Sequence, residues 1–254
     1  MKQKENCRVI EQERIGREIY SLWLETDTIA KEAAPGQFVM LYGKEGSRLL
    51  PRPISICQTK GSALRLAYRV VGSGTQEFSH LEPGHRLETL GPLGQGFPLQ
   101  EAQGKKTLLL GGGIGIPPML ETAARLEGDV TAVLGYRDEV FLKDEFEKFC
   151  PVAFATEDGS GGVKGNVLDA VREQGLQADV IFACGPAPML RAIQAYAKEK
   201  RILCWISMEE RMACGIGACL GCVCDTVEED PHLRVYRKRV CKDGPVFLST
   251  EVEL

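Results

Sequence analysis

The sequence of 254 residues predicts an α/β protein with an added all-β domain. We expect an N-terminal antiparallel β-barrel in residues 1–98, a central parallel α/β domain in residues 99–206 and a cysteine-rich subdomain in residues 207–254. Three observations favour this division. Short alternating stretches between turns come first, apolar runs mixed with helical patterns follow, and clustered cysteines come last.

The first region contains short stretches in which apolar and polar residues alternate, as they do along a half-buried β-strand. Glycine and proline separate these stretches, for example at Pro35-Gly36 and Pro83-Gly84. Many short strands with regular turns are typical of a sandwich or a barrel. The stretches are residues 18–24, 37–41, 63–71 and 85–89.

The second region alternates between strand and helix patterns. This alternation predicts βαβ units and a parallel sheet. The predicted strands are residues 106–110, 129–134, 152–156 and 179–184, and the predicted helices are residues 118–126, 167–174 and 189–200. A further strand is predicted at residues 245–248.

Composition and charge exclude several classes of function. The net charge of −4 gives no reason to expect a nucleic-acid or anionic-membrane partner. The polar, charged start has no apolar segment of a secretory signal, and no apolar run approaches a membrane span. We therefore expect a cytoplasmic protein. In the cytoplasm, ten cysteines indicate metal binding or redox chemistry rather than disulfides.

Three of the late cysteines follow the spacing of a plant-type [2Fe–2S] site. Cys214, Cys219 and Cys222 form the pattern C-x4-C-x2-C, and the glycines between them allow the loop to curl around a compact cluster. For the fourth ligand we favour Cys241, which lies beyond a stretch able to fold back as a hairpin. Cys224 remains open, because in a strand it would share a face with Cys222.

Two other interpretations of these cysteines also remain open. Cys204 is a further candidate for the fourth ligand by its position in the sequence. A structural zinc site would also use four thiolates, but its ligands usually come as two separated C-x2–4-C pairs. Here only Cys219 and Cys222 form such a pair. Disulfides or plain thiols are the remaining alternative. The scattered cysteines, namely Cys7, Cys57, Cys150 and also Cys204, are expected to be plain thiols.

A glycine-rich turn follows the first predicted strand of the α/β region. Glycines at this position allow a pyrophosphate to approach backbone amides at the start of the next helix. Pro118 stands where the strict dinucleotide fingerprint has its third glycine, so an ordinary strand–helix turn remains an alternative. The glycines are Gly111, Gly112, Gly113 and Gly115.

A second turn supports a nucleotide site at the same edge of the sheet. Cys184, Gly185 and Pro186 follow another predicted strand and precede a helix. We expect Cys184 to line a nicotinamide pocket, with a buried strand-end cysteine as the alternative. At the end of the second strand, the acids of residues 138–139 suit NAD and Arg137 suits a 2′-phosphate, so both nucleotides remain open.

The barrel region contains groups that suit a second phosphate-bearing ligand. Arg52 and Arg69 can bind phosphate charge, Ser55 can donate a hydrogen bond, and Gly74 and Thr75 can offer backbone amides. Each of these alone is equally typical of a solvated arginine or a turn. Their significance comes from occurring together with the two turns of the α/β region.

Together the motifs resemble the ferredoxin reductase superfamily. R-P-x-S at residues 52–55 is similar to its flavin barrel motif, and G-G-G-I-G-I-P-P at 111–118 and C-G-P at 184–186 are similar to its nicotinamide motifs. The cysteine pattern of residues 210–224 and the G-P-L-G-Q-G-F of residues 91–97 resemble the electron-transfer subunits of NAD-dependent (class 1B) dihydroorotate dehydrogenase.

This resemblance implies three cofactors, namely FAD, NAD and a [2Fe–2S] cluster. It implies that FAD is bound by Arg52, Pro53, Ile54, Ser55, Ala67, Tyr68, Arg69, Gly74 and Thr75. The two turns that contain Gly111, Gly112, Gly113, Gly115, Cys184, Gly185 and Pro186 would bind the nicotinamide nucleotide. The implied cluster ligands are Cys214, Cys219, Cys222 and Cys241.

The resemblance also implies a partner, the FMN-containing catalytic subunit that oxidises dihydroorotate in pyrimidine biosynthesis, with two copies of each subunit. Electrons would pass from FMN through the cluster and FAD to NAD+, because a flavin converts between single electrons and a hydride. One alternative is a related subunit of a sulfide dehydrogenase or a ferredoxin:NADP reductase. An alternative of another class is a zinc-stapled nucleotide-binding regulator. No catalytic acid–base residues are expected on this chain, because the substrate would bind on the partner.

Overall fold

The computed structural model describes residues 2–44, 49–229 and 234–254. Six antiparallel strands close into a barrel in the order β1-β2-β5-β4-β3-β6. Helix α1 (Ile29–Glu32) follows β2, and helix α2 (Ser73–Phe78) follows β5. The strands are β1 (Gln3–Gly16), β2 (Ile19–Glu25), β3 (Phe38–Tyr42), β4 (Arg52–Lys60), β5 (Ala63–Arg69) and β6 (Arg86–Leu93).

The second unit is a seven-stranded sheet with the order β10-β9-β8-β7-β11-β12-β15. Its strands are β7 (Thr107–Gly112), β8 (Val130–Tyr136), β9 (Val152–Thr156), β10 (Val163–Lys164), β11 (Val180–Cys184), β12 (Leu203–Ser207) and β15 (Val246–Leu248). Its helices are α3 (Ile116–Arg125), α4 (Lys143–Phe146), α5 (Val167–Glu173) and α6 (Ala187–Lys200). All neighbours are parallel except β12 and β15. The predicted barrel and parallel sheet are therefore confirmed.

The C-terminal region forms a loop, a hairpin and a returning strand. Strands β13 (Val223–Asp225) and β14 (Arg237–Arg239) pair antiparallel, so the expected return of the chain after Cys222 is confirmed. Residues 230–233, between these strands, lie outside the described residues. The final strand β15 then joins the edge of the parallel sheet beside β12.

The two larger units share one apolar core. Barrel residues Cys57 and Ala67 are buried in the same cluster as Ile116, Met119 and Leu120 of α3. Burial of apolar surface is the main favourable term in domain packing. Helix α3 therefore lies against β4 of the barrel. Among the described residues, no helix combines the length and apolar character needed to span a membrane.

Candidate functional site

A cleft of about 960 Å³ lies between the barrel and the parallel sheet. The starts of β4 and of α2 form its barrel side, and the end of β11 forms its other side. Of the residues predicted to bind FAD or the nucleotide, those lining this cleft are Arg52, Pro53, Ile54, Ser55, Ala67, Tyr68, Arg69, Thr75, Gly115, Cys184 and Gly185. The structure thus brings two sequence-distant motifs to one cavity.

Arg52 and Gly74 are in direct contact at the edge of this cleft. A Cβ atom on Gly74 would lie 2.4 Å from Arg52 Nε and 2.5 Å from Nη2. The Thr75 hydroxyl accepts hydrogen bonds from the backbone N–H groups of Val71 (3.0 Å) and Gly72 (3.3 Å), which shapes the turn before α2. The guanidinium of Arg52, which donates to the Leu50 carbonyl, lies beside the cleft, where it suits a phosphate.

The side chain of the predicted residue Tyr68 is engaged within the barrel. Its side chain is buried in the barrel, 1% exposed, and its hydroxyl donates to Gln12 Oε1 at 2.9 Å. The ring stacks on Tyr20 at a centroid distance of 5.9 Å. Burial raises the pKa of Tyr68, so the phenol stays neutral. The aromatic side chain therefore shapes the barrel wall rather than reaching into the cleft.

A second cleft, of about 590 Å³, lies at the carboxyl edge of the parallel sheet. Gly112, Gly113 and Pro186 line it, as expected for a nucleotide site. Arg69 lines both this cleft and the first one. Of the predicted glycines, Gly111 lies behind the turn instead, where a Cβ would come within 3.1 Å of the Ile116 Cα.

Two glycines allow close approach between the two nucleotide-binding turns. A Cβ on Gly115 would lie 2.4 Å from the Cys184 carbonyl oxygen, and a Cβ on Gly112 would lie 2.3 Å from Met189 Sδ. Larger residues at these positions would push the turns apart. Burial raises the pKa of the Cys184 thiol to about 12, although a hydrogen bond with Ser207 opposes this, so Cys184 is a neutral thiol at the cleft wall.

The four cysteines favoured as cluster ligands lie together as two pairs. The Cys214 and Cys219 side chains form one hydrogen-bonded pair, and those of Cys222 and Cys241 form another. Between the pairs, Cys214 is close enough to Cys241 to influence its pKa. Cys241 and Cys222 are buried, whereas Cys219 is exposed.

Backbone N–H groups surround these sulfur atoms. Cys214 Sγ accepts from Ala218 N at 3.3 Å and from Ile216 N at 3.5 Å, and Cys222 Sγ accepts from Cys241 N at 3.4 Å. Burial opposes ionisation of Cys214. The backbone N–H groups of Ile216, Ala218 and Cys219, together with the Cys219 side chain, nevertheless lower the pKa of Cys214 to about 6. The loop is thus built to stabilise thiolate charge.

Glycine is required in this loop. Gly215 and Gly217 adopt φ angles of +68° and +84°, in the left-handed region that side chains disfavour. The residues that follow these two glycines, Ile216 and Ala218, point their backbone N–H groups at Cys214 Sγ. The expected role of the glycines therefore has a structural basis.

The two alternative cysteines lie on strands, Cys224 on β13 and Cys204 on β12. Cys224 sits in the β13–β14 hairpin opposite Lys238, and burial raises its pKa to about 11. Cys204 is buried in β12, where it pairs with Ile181 of β11. The candidate ligand set supported by proximity is therefore Cys214 and Cys219 with Cys222 and Cys241.

The four thiols match the number of protein ligands that a two-iron cluster requires. Within residues 2–44, 49–229 and 234–254, no three histidine, cysteine or acidic side chains converge as ligands of one metal ion would. A [2Fe–2S] cluster takes four thiolates, two on each iron. The chemistry of the donor set, four thiols with sulfur-directed N–H groups, fits that cluster.

Sequence reasoning missed one wall of the larger cleft. Residues 207–212, from Ser207 to Met212, line it and lead directly to Cys214. Phe38, Val71 and Pro245 also line it. Residues 210–212 belong to the cysteine motif, but the motif does not predict that they line this cleft, because they reach it through the position of β12 and the loop after it. The larger cleft therefore extends to the chain segment that carries the cysteines.

Comparison with known proteins agrees with this geometry. Residues 209–253 match a family model described as the iron-sulfur cluster binding domain of dihydroorotate dehydrogenase B. The chain is 43% identical over 263 aligned positions to the electron transfer subunit of dihydroorotate dehydrogenase B (NAD(+)) from Bacillus cereus strain B4264, with 100% of both chains covered.

Solved structures show the same fold. An NADH-dependent reduced ferredoxin-NADP oxidoreductase, studied for flavin-based electron bifurcation, has a TM-score of 0.84 at 28% identity, covering 98% of this chain and 90% of that one. Amycolatopsis cytochrome P450 reductase GcoB has a TM-score of 0.68 at 22% identity, covering 79% of this chain and 67% of that one. At that identity the likeness concerns the fold alone.

The joined barrel and sheet, with a cysteine loop beside their cleft, define an iron–sulfur protein of the ferredoxin reductase fold. Full-length identity then specifies the group within that class. The chain belongs to the family of electron transfer subunits of NAD-dependent dihydroorotate dehydrogenase B. The resemblance stated from the motifs is thereby confirmed.

Proposed function

We propose that this chain passes electrons between a dihydroorotate dehydrogenase catalytic subunit and NAD+ in the cytoplasm, as part of pyrimidine biosynthesis. The observation that carries this proposal is the composition of the larger cleft. Barrel residues such as Arg52, the sheet-edge residue Cys184, and the segment leading to Cys214 all face one cavity. Groups suited to a flavin, a nicotinamide and a cluster thus meet at one place.

The residues of the chain bind and orient three cofactors, FAD, NAD and a [2Fe–2S] cluster. When bound, the cluster carries single electrons, the nicotinamide carries two as hydride, and the flavin converts between them. Arg52 and Arg69 offer guanidinium groups to the phosphates of FAD, and the glycine turn that includes Gly112 and Gly113 admits the nucleotide.

The cysteine loop holds the cluster through two thiolate pairs. We assign one iron to Cys214 and Cys219 and the other to Cys222 and Cys241, following their hydrogen-bonded pairing. N–H groups that point at the sulfur atoms stabilise the negative charge and tune the potential. Exposed Cys219 places this site at the protein surface, where electrons can be exchanged with a partner.

Oxidation of the substrate belongs to a separate catalytic subunit. Support comes from the name of the full-length relatives, which are electron transfer subunits. We propose that this partner carries FMN and that two copies of each subunit assemble. This chain then needs no acid–base pair, since its residues bind the cofactors, set the distances between them and tune their potentials.

Co-expression with the candidate catalytic subunit tests the proposal. The complex is expected to reduce NAD+ when dihydroorotate is added, whereas the catalytic subunit alone is expected not to. A complex that oxidises dihydroorotate with other acceptors but never reduces NAD+ would contradict the proposed role. Fold similarity to a ferredoxin-NADP oxidoreductase makes reduced ferredoxin with NADP+ the informative second assay. Activity only in the assay with reduced ferredoxin and NADP+ would favour the alternative of a ferredoxin:NADP reductase subunit.

A further inference from the structure

A buried carboxylate joins the barrel to the α/β unit away from both clefts. Glu121 of α3 is 2% exposed. Its Oε2 accepts from the Thr59 backbone N–H at 2.9 Å, and its Oε1 accepts from the Thr59 hydroxyl at 2.8 Å and from Arg125 Nε at 2.9 Å. Arg125 Nη2 also donates to Thr59 Oγ1 at 3.0 Å. The three side chains form a closed link.

The two elements joined by this link are the ones that carry the cofactor motifs. Helix α3 begins directly after Gly115 of the glycine turn, and β4 begins with Arg52. Glu121 lies about 9 Å along the helix from Gly115 at ~1.5 Å per residue. Thr59 lies about 23 Å along the strand from Arg52 at ~3.3 Å per residue. Helix α3 is continuous, so a shift at the link moves the glycine turn with it, whereas β4 shifts its register against β5 between Ile56 and Gln58.

At this junction, hydrogen bonds provide the directional contacts that apolar packing does not provide. Cys57 and Ala67 pack against Met119 of α3, but such contact is non-directional and permits small sliding movements. The bonds between Glu121 and Thr59 have defined lengths and angles, so they set the register of α3 on β4. Breaking them would leave a buried carboxylate or N–H group without its partner.

We propose that Glu121 is a positioning residue, which sets the spacing between the nicotinamide and the flavin by fixing α3 against β4. This inference rests on the proposed function. With both groups bound, reduced flavin would give a hydride to NAD+, forming NADH, and release one proton to water, and NADH would reduce the flavin by the reverse of this step. A misplacement of about 1 Å lowers such a transfer by up to ~100-fold. Glu121 touches neither reactant, because the described residues lining the two clefts do not include it.

The test uses the complex with its catalytic subunit, carrying Glu121→Gln or Thr59→Val on this chain. Glu147→Gln is the matched control, since Glu147 also pairs with a cation four residues away, Lys143, but is exposed just after the end of α4. Anaerobic mixing with NADH gives the limiting rate of flavin reduction and the apparent Kd for NADH. Absorbance of the long-wavelength charge-transfer band reports the closeness of the two rings, and bound FAD is measured on each sample.

We expect at least a tenfold fall in the limiting rate and a weaker charge-transfer band in both test variants, with the Kd within about twofold and FAD content unchanged. The control is expected to match the parent complex. If the test variants have a lower melting temperature but an unchanged rate of flavin reduction and an unchanged charge-transfer band, the inference is overturned. That result is what a link with only a structural role would give. If Glu121→Gln does not fold, the same measurements on Thr59→Val test the inference. Lack of FAD or of NADH oxidation in the parent complex would instead contradict the proposed function.

Discussion

The guanidinium of Arg52 lies directly over Gly74, in the space that a side chain at position 74 would occupy. A Cβ on Gly74 would come within 2.4 Å of Arg52 Nε. Arg52 comes from the start of β4 and Gly74 from the first turn of α2, so the contact joins two separate predicted FAD-binding segments. The atom that would clash is the far end of a flexible side chain. A larger residue at position 74 would therefore displace Arg52 rather than the fold.

Gly74→Ala is expected to weaken FAD retention by about tenfold or more while leaving the fold intact, since a charge-assisted phosphate contact is lost. The measurement is flavin released on dilution, followed by its fluorescence. Gly72→Ala is the matched control, because no atom lies within 4 Å of a Cβ there and its φ of −171° is extended backbone. Equal flavin release from both variants would contradict the role of Arg52.

Replacing single cysteines distinguishes the candidate cluster ligands. Cys219→Ser and Cys241→Ser are expected to lose most of the iron and cluster absorbance while FAD stays bound, because a thiolate ligand is removed. Cys224→Ser is the control and is expected to retain the cluster, since Cys224 lies in the hairpin opposite Lys238. Iron per chain and visible absorbance are measured after anaerobic purification.

Two results would change the assignment of the cluster ligands. Retained cluster absorbance in Cys219→Ser would remove that residue from the ligand set. Loss of the cluster in Cys224→Ser but not in Cys241→Ser would make Cys224 the fourth ligand.

NAD+ is expected to bind at least tenfold more tightly than NADP+, a difference of about 1.4 kcal/mol. Carboxylates outnumber guanidinium groups around the nucleotide cleft, which disfavours an added phosphate. The carboxylates are Glu18, Asp138, Glu139 and Glu157, and the guanidinium groups are those of Arg17, Arg69 and Arg137. Calorimetric titration with each nucleotide measures the ratio. Tighter binding of NADP+, lost in Arg137→Ala, would show that Arg137 binds a 2′-phosphate.

The stability of the barrel is expected to depend on the ionisation of Glu5. Burial opposes ionisation, but hydrogen bonds from the Thr28 hydroxyl and from the N–H groups of Asp27, Thr28 and Ile29 hold the pKa of Glu5 below its usual 4.5. A lowered folded-state pKa stabilises the fold above the unfolded pKa, and this stabilisation is lost as the pH falls through the folded-state value.

Glu5→Gln should therefore lower the free energy of unfolding at about pH 7, and its difference from the parent should shrink below about pH 4. Urea unfolding at a series of pH values measures this, with Glu11→Gln on the exposed side of the same strand as the control. A difference between Glu5→Gln and the parent that stays constant with pH would contradict the ionic role of Glu5.

The motifs were predictable from the sequence because their chemistry is local. The glycines at the end of β7 and the C-G-P at the end of β11 each combine a strand, a turn and a helix within a few residues. Parallel strands bring their carboxyl ends to one edge, so the joint location of Gly112 and Pro186 followed from the fold class. Proximity of Cys241 to Cys222 was foreseen in the same way, through a hairpin between them.

Two strands of the barrel escaped prediction for identifiable reasons. Strand β1 (Gln3–Gly16) is mostly exposed, and its run of charged residues lacks the alternation that marks a half-buried strand. Strand β4 begins with Arg52 and Pro53, and proline is a turn signal as much as a strand-edge residue. The addition of β15 to the sheet beside β12 is a long-range pairing that no local pattern encodes.

Contacts between the units were also beyond sequence reasoning. The link between Glu121 and Thr59 joins residues 62 positions apart, and each residue alone is an ordinary polar side chain of a helix or a strand. The cleft wall at residues 207–212 depends likewise on how β12 enters the sheet. Tertiary packing, rather than local chemistry, places these groups.

The most direct test of the account is a visible spectrum of the anaerobically purified chain, with flavin, iron and zinc measured on the same sample. The account predicts flavin bands together with broad iron–sulfur absorbance, one FAD and about two irons per chain, and little zinc. A colourless chain loaded with zinc and lacking flavin would contradict it.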